Sequence, residues 1–440
     1  MSFPPVYGGP FSVSPSVASL PAYTAHERPR TAGAVRQLTE HLFEIKDKKK
    51  KAWATLKLTS HARSTTSLPT FLEGDKITGS VTLNLTNSEK ILGVSILIRG
   101  SMIAGPNPHD RLCFLDKTTP LWLKGMPNPE DSILPDGRLS GDYHWQFSVA
   151  LPKEVALPDP EGKHGAYKTY HLPQTFLERS TRASVCYELF VHIERSVFRV
   201  DNKLQTMFVY VPAIRPDPPS QSRQLAYRQN GPILGPDADP EGWLSLPMVS
   251  ITGTVFNTRR VNIKCQLSLA KPLSYTRGSV IPCSLTYACD DPQALELVCT
   301  PATTNVCLQR QVDFSPAPAA AEYALRDSTS HSLLEISRAV WWPVHDGRGL
   351  GSCRLDGEIH LPKSLKPSST ISHFRISYHV TLLPFEVTGF AMQAAKPALK
   401  QEVQIATMFP KGPKPRMYTP PCYESDVGDS MLIPPARAYI

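Results

Sequence analysis

A two-residue hydrophobic period, recurring through the central part of the chain, constrains its fold more than any other feature. Ile77, Gly79, Val81, Leu83 and Leu85 alternate with Lys76, Thr78, Ser80, Thr82, Asn84 and Thr86. Successive side chains of an extended strand point to opposite faces, so this pattern predicts a strand with one buried face. Val94, Ile96 and Ile98 repeat it, as do Trp145, Phe147, Val149 and Leu151, and then Tyr187, Leu189, Val191 and Ile193. Further on, Ile281, Cys283, Leu285 and Tyr287 carry the period, followed by Phe374, Ile376, Tyr378, Val380 and Leu382. The pairs Asn87-Ser88, Asp136-Gly137 and Asp346-Gly347 read as turns between these runs. No helical periods alternate with the strands, which predicts an all-β chain of antiparallel sandwiches. Proline reinforces this reading. It supplies 43 of 440 residues, which disfavours long helices and favours short strands and turns.

The pattern is internally repeated. Phe71-Leu-Glu-Gly74-Asp-Lys-Ile77-Thr-Gly-Ser80-Val81-Thr82-Leu83 aligns without gaps on Tyr275-Thr-Arg-Gly278-Ser-Val-Ile281-Pro-Cys-Ser284-Leu285-Thr286-Tyr287. In each copy an aromatic residue enters a glycine turn and an alternating strand follows. Leu172-Pro173 before the Tyr187 strand is echoed by Leu361-Pro362 before the Tyr378 strand. Two matches in the same order point to a duplicated sandwich.

Composition divides the chain. Residues 1–40 and 411–440 are rich in Pro, Ser, Gly and Ala and read as disordered tails. Residues 213–247 read as a Pro-rich inter-domain linker, leaving β domains at 41–212 and 248–410. The start MSFPPVYGGP has neither a basic region nor an apolar core for a secretory signal, and no apolar run reaches transmembrane length. A cytoplasmic protein with any membrane role peripheral is expected. The nine cysteines contain no CxxC pair, so neither a disulfide framework nor a zinc site is expected. They read as reduced, small apolar residues in a reducing compartment. A net charge of +8 permits contact with anionic lipid but concentrates into no nucleic-acid stripe.

The duplicated aromatic-x-x-Gly-x-x-Ile strands, Trp145-Gln-Phe147-Ser-Val-Ala-Leu151-Pro152, and the Leu-Pro turn before Tyr187-Glu-Leu together resemble the arrestin superfamily, in particular fungal alpha-arrestin-like proteins, over residues 41–410. The resemblance implies two tandem immunoglobulin-like, arrestin-type β-sandwich domains acting as an adaptor. Such an adaptor would bind a membrane transporter or receptor as cargo and recruit a WW-domain HECT-type ubiquitin ligase for ubiquitination, endocytosis and sorting. It implies recruitment to the plasma membrane or endosomes and no enzymatic activity. A trafficking or signalling scaffold outside ubiquitination is the alternative.

Two PPxY tetrapeptides fit the ligase reading: Pro4-Pro5-Val6-Tyr7 and Pro420-Pro421-Cys422-Tyr423. Paired prolines preset a polyproline II segment, whose rings slot between the aromatics of a WW groove while the tyrosine fills a neighbouring pocket. Two motifs on one chain would engage tandem WW domains with avidity. Leu20-Pro21-Ala22-Tyr23 is a degenerate third. The run Lys48, Lys49, Lys50 and Lys51, before Trp53, reads three ways: an anionic-lipid contact with Trp53 at the interface, ubiquitin acceptors, or a solvated charge run entering a strand. Gly347-Arg-Gly349-Leu-Gly351-Ser352 lacks the Lys of a phosphate loop and reads as a hairpin loop. No HExxH and no Gly-x-Ser-x-Gly elbow occurs, so no catalytic residue, metal site or cofactor is expected.

Overall fold

The computed structural model describes residues 38–104, 111–126, 138–159, 165–179, 181–196, 201–315, 330–344, 351–384, 387–393 and 399–419. These residues are nearly all β, as the two-residue period requires. Among them the α-helices are Gln221–Gln229 and Pro292–Val298. The expected inward sets are buried: Ile77, Val81, Leu83 and Leu85, then Tyr187, Leu189, Val191 and Ile193, and in the second copy Ile281, Cys283, Leu285 and Tyr287. Each large side chain of this kind contributes about 1.5–3 kcal/mol relative to leaving it in water.

In the N-terminal half one antiparallel sheet runs Thr39–Lys46, Ala52–Ser60, Lys76–Glu89, Leu139–Ala150. A second runs Thr70–Leu72, Asn202–Val211, Ser184–Arg195, Ile91–Ile103, Arg111–Leu123. The same order recurs in the C-terminal half: Val249–Val255, Arg259–Ala270, Val280–Ala288, Ser352–His360 on one side, and Ser274–Thr276, Leu399–Ala406, Phe374–Leu382, Val306–Phe314, Ser330–Pro343 on the other. Each half has one short parallel pairing at its first strand of the repeat, Phe71 opposite Tyr210 and Tyr275 opposite Ile405. Gly74 and Gly278 then turn the chain at φ +90° and +75°. In this left-handed region a side chain is strained, which is why glycine stands at both positions. Two buried tyrosines are matched as well: Tyr187 donates to the Pro173 carbonyl (2.8 Å) and Tyr378 to the Lys366 carbonyl (2.6 Å).

The halves differ, among other features, at the strand that joins the two sides of the C-terminal half. Ser330–Pro343 pairs with Val306–Phe314 along its first part and with Ser352–His360 through Ala339–Pro343, so it belongs to both sides. The buried side chains form one continuous apolar cluster of β-sandwich-like character.

Three expectations from the sequence are corrected. Asn87-Ser88 is not a turn; it lies inside Lys76–Glu89, where an irregularity between Leu85 and Glu89 absorbs the extra residues and the chain turns at Lys90. Residues 213–247 are not an unfolded linker. Helix Gln221–Gln229 is capped by Ser220 at its start and by Asn230 at φ +54° at its end. Arg223 is buried and donates to the carbonyls of Lys271 (2.7 Å) and Gly242 (2.6 Å), with its guanidinium over the Trp243 ring. Those partners satisfy a cation that burial disfavours, and burial lowers its pKa. Finally, Cys299 and Cys353 form a disulfide, although they are 54 positions apart with no spacing signal; the helix Pro292–Val298 delivers one to the strand carrying the other. Cys186, Cys265, Cys283 and Cys307 are free and buried, as expected for small apolar residues. Burial pushes the Cys265 thiol up to about 12.

Candidate functional site

The residues of both PPxY motifs, Pro4, Pro5, Tyr7, Pro420, Pro421 and Tyr423, lie outside the described residues, as does Leu20-Pro21-Ala22-Tyr23. The described chain nevertheless reaches Thr419, one residue short of the second motif. Residues 411–419, read from composition as disordered tail, run as a strap over the C-terminal half. Arg416 donates to the Asn230 carbonyl, and the Tyr418 hydroxyl donates to the Gly231 carbonyl (2.8 Å). Arg416 also lies over the Tyr418 ring, which faces Trp342.

The strap ends on Glu358. This carboxylate, 1% exposed, sits in strand Ser352–His360. Its oxygens accept the backbone N–H of Tyr418 (3.1 Å) and of Thr419 (2.8 Å), and the Thr419 hydroxyl donates to Oε1. His360 Nε2 lies 2.7 Å from Thr419 Oγ1 and 3.2 Å from Glu358 Oε1. A charged acceptor out of water needs several donors, and two consecutive strap residues supply them. Burial raises the Tyr418 phenol pKa. Sequence reasoning missed this clamp, because Glu358 and Thr419 are brought together only by the fold.

The lysine run forms the turn between Thr39–Lys46 and Ala52–Ser60. Lys48, Lys49, Lys50 and Lys51 are exposed. Asp47 Oδ1 accepts the backbone N–H of Lys49 (2.8 Å) and Lys51 (2.9 Å), and Lys50 takes φ +62°. The turn is thus fixed through its backbone. Trp53 is half-buried against the core and carries the Arg195 guanidinium over its ring, which argues against the ring as a membrane anchor.

Two further features join the halves. Arg310 makes a bidentate pair with Glu178, Nη1 at 2.8 Å from Oε1, with Arg310 over the Phe176 ring and Phe176 against Phe374. Burial works against the Arg310 charge, but Glu178 overcomes it and the Arg310 pKa is raised. Arg277 donates to Gln174 across the same contact (3.1 Å). Beside it, a cleft of about 830 Å³ is lined by strands Tyr167–His171 and Ser369–Ile371, with Glu73, Lys168, Arg375 and Glu402 on its walls.

Among the described residues no group of His, Cys, Asp and Glu could hold a metal ion, and no helix is long and apolar enough to cross a membrane. No protein-family model matches the chain, and no curated protein matches it at a significant level.

Proposed function

We propose that this chain is an arrestin-like adaptor: two tandem arrestin-type β-sandwiches that hold a membrane transporter or receptor and present PPxY motifs to a WW-domain HECT-type ubiquitin ligase. It is not an enzyme; it raises the concentration of cargo lysines near the ligase. The observation that carries this reading is the strand order repeated in both halves, with matched glycine turns and matched buried tyrosines. The strap brings the chain to Thr419, the residue before Pro420. The mixed-charge cleft beside Tyr167–His171 is suited to an extended cargo segment, which would add main-chain hydrogen bonds to that two-stranded sheet. The exposed Lys48–Lys51 turn would meet anionic headgroups or accept ubiquitin itself.

The test is a pull-down of WW domains with the full chain. Tyr7→Ala combined with Tyr423→Ala abolishes capture while far-UV circular dichroism is unchanged. Undiminished capture by the double variant removes ligase recruitment from the account, and a scaffold outside ubiquitination then replaces it.

A further inference from the structure

We propose that Thr419 is a phosphorylation site for a proline-directed protein kinase, and that its phosphate releases the strap from the Glu358 clamp. Thr419 is followed by Pro420, the dipeptide such kinases read. Its hydroxyl also sits inside the clamp. As a hydroxyl it donates to Glu358 Oε1 and meets His360 Nε2 at 2.7 Å. Phosphorylation removes that donor and replaces it with a group of charge about −1.5 to −2 at neutral pH. The new anion would stand at hydrogen-bonding distance from a carboxylate that is 1% exposed. Little water reaches this site to screen the repulsion. His360, the cation-capable group against the hydroxyl, is already shared with Glu358 and cannot neutralise both.

The chemistry balances with one co-reactant. Thr419 Oγ1 attacks the γ-phosphorus of ATP, the bond to the β,γ-bridging oxygen breaks, ADP departs, and the hydroxyl proton passes to the kinase's base. Thr419 is half-buried when docked, so the kinase takes the undocked strap. The phosphate then keeps the strap from returning, which shifts the population toward release.

The consequence for partners rests on the WW reading. Consecutive Cα atoms are about 3.8 Å apart, so a groove that closes on Pro420 must approach within one residue of the clamp. A docked strap therefore obstructs the second PPxY motif, and a released one presents it.

The experiment uses the full chain, treated with a proline-directed kinase and ATP and mapped by mass spectrometry. Amide exchange over residues 416–419 and 355–360 is compared before and after, alongside Thr419→Ala and Glu358→Gln. Phosphate is expected on Thr419, with exchange at Tyr418 and Thr419 accelerated at least tenfold. Thr419→Ala takes no phosphate there and keeps its slow exchange, since both backbone donors remain. Glu358→Gln exchanges fast without kinase; if that variant misfolds, the comparison of phosphorylated and untreated native chain decides. No phosphate on Thr419, or phosphate with exchange unchanged, overturns the proposal. Release with no gain in WW-domain affinity leaves the switch standing and sinks the ligase reading instead.

Discussion

Removing one partner of the Arg310–Glu178 pair tests whether this contact holds the two halves together. The Arg310 side chain is 7% exposed and that of Glu178 is 20% exposed. Deleting one member of a buried pair strands the other, at a typical cost of about 3–5 kcal/mol. In Arg310→Ala the stranded group is Glu178, to which water has some access, so the loss falls at the lower end, about 3 kcal/mol. Part of it, about 0.5–1 kcal/mol, comes from uncovering the Phe176 ring. Glu178→Ala strands the more deeply buried guanidinium, whose Nε already lacks a partner, and costs at least as much. Arg310→Met with Glu178→Leu removes both charges and recovers most of the loss. The assay is urea unfolding followed by tryptophan fluorescence, with the single variants Arg310→Met and Glu178→Leu added to close a double-mutant cycle with the double variant. With each single costing about 3 kcal/mol and the double much less than their sum, the cycle is expected to return a coupling of about 3 kcal/mol or more. Additive single variants, each costing under about 1 kcal/mol, would mean the pair behaves as an exposed one and does not fasten the halves.

Gly74→Ala and Gly278→Ala should each cost about 1–2 kcal/mol through backbone strain alone. Nothing lies within 4 Å of an added Cβ at Gly74, and at Gly278 the near neighbour is the flexible Lys363 side chain. Thermal melts giving a large loss at one position and none at the other would contradict the equivalence of the two turns. Lowering the pH through 6.5 should destabilise the protein. Burial lowers the pKa of His41, His192, His373 and His379 below the ordinary 6.5, so the unfolded chain takes up more protons there. Stability is full above 6.5 and declines as pH falls toward the folded-state values; a melting temperature flat from pH 7.5 to 5.5 refutes this. Alkylation under non-reducing, denaturing conditions should label every cysteine except Cys299 and Cys353. Reducing that bond should cost up to about 4 kcal/mol by loop-closure entropy, and labelling of all nine would show that the bond does not form.

Much of the fold was legible because its signals are local. The alternation at Ile77–Leu85 and at Phe374–Leu382 names the buried faces directly, and each lies in a strand as expected. The gapless repeat identified Gly74 with Gly278, and both adopt the same left-handed backbone. What escaped depends on partners distant along the chain. Residues 213–247 have the composition of a linker, yet Arg223 finds its acceptors at Gly242 and Lys271 and supports an ordered crossing. Glu358 looks like any acidic residue in a strand, and its donors arrive from Tyr418 and Thr419, some 60 positions on. Cys299 and Cys353 gave no spacing to read, since a loop of this length closes by tertiary packing rather than by motif. The PPxY motifs were read from sequence, but the clamp that precedes the second was not.

The strand Ser330–Pro343 has a mechanical consequence. A strand hydrogen-bonded to Val306–Phe314 at one end and to Ser352–His360 at the other works as a hem, stitching two layers of cloth along one thread. Peeling either layer away pulls the thread from the other. Opening one layer of the C-terminal half therefore disturbs the other, whereas among the described residues the two sheets of the N-terminal half share no such strand.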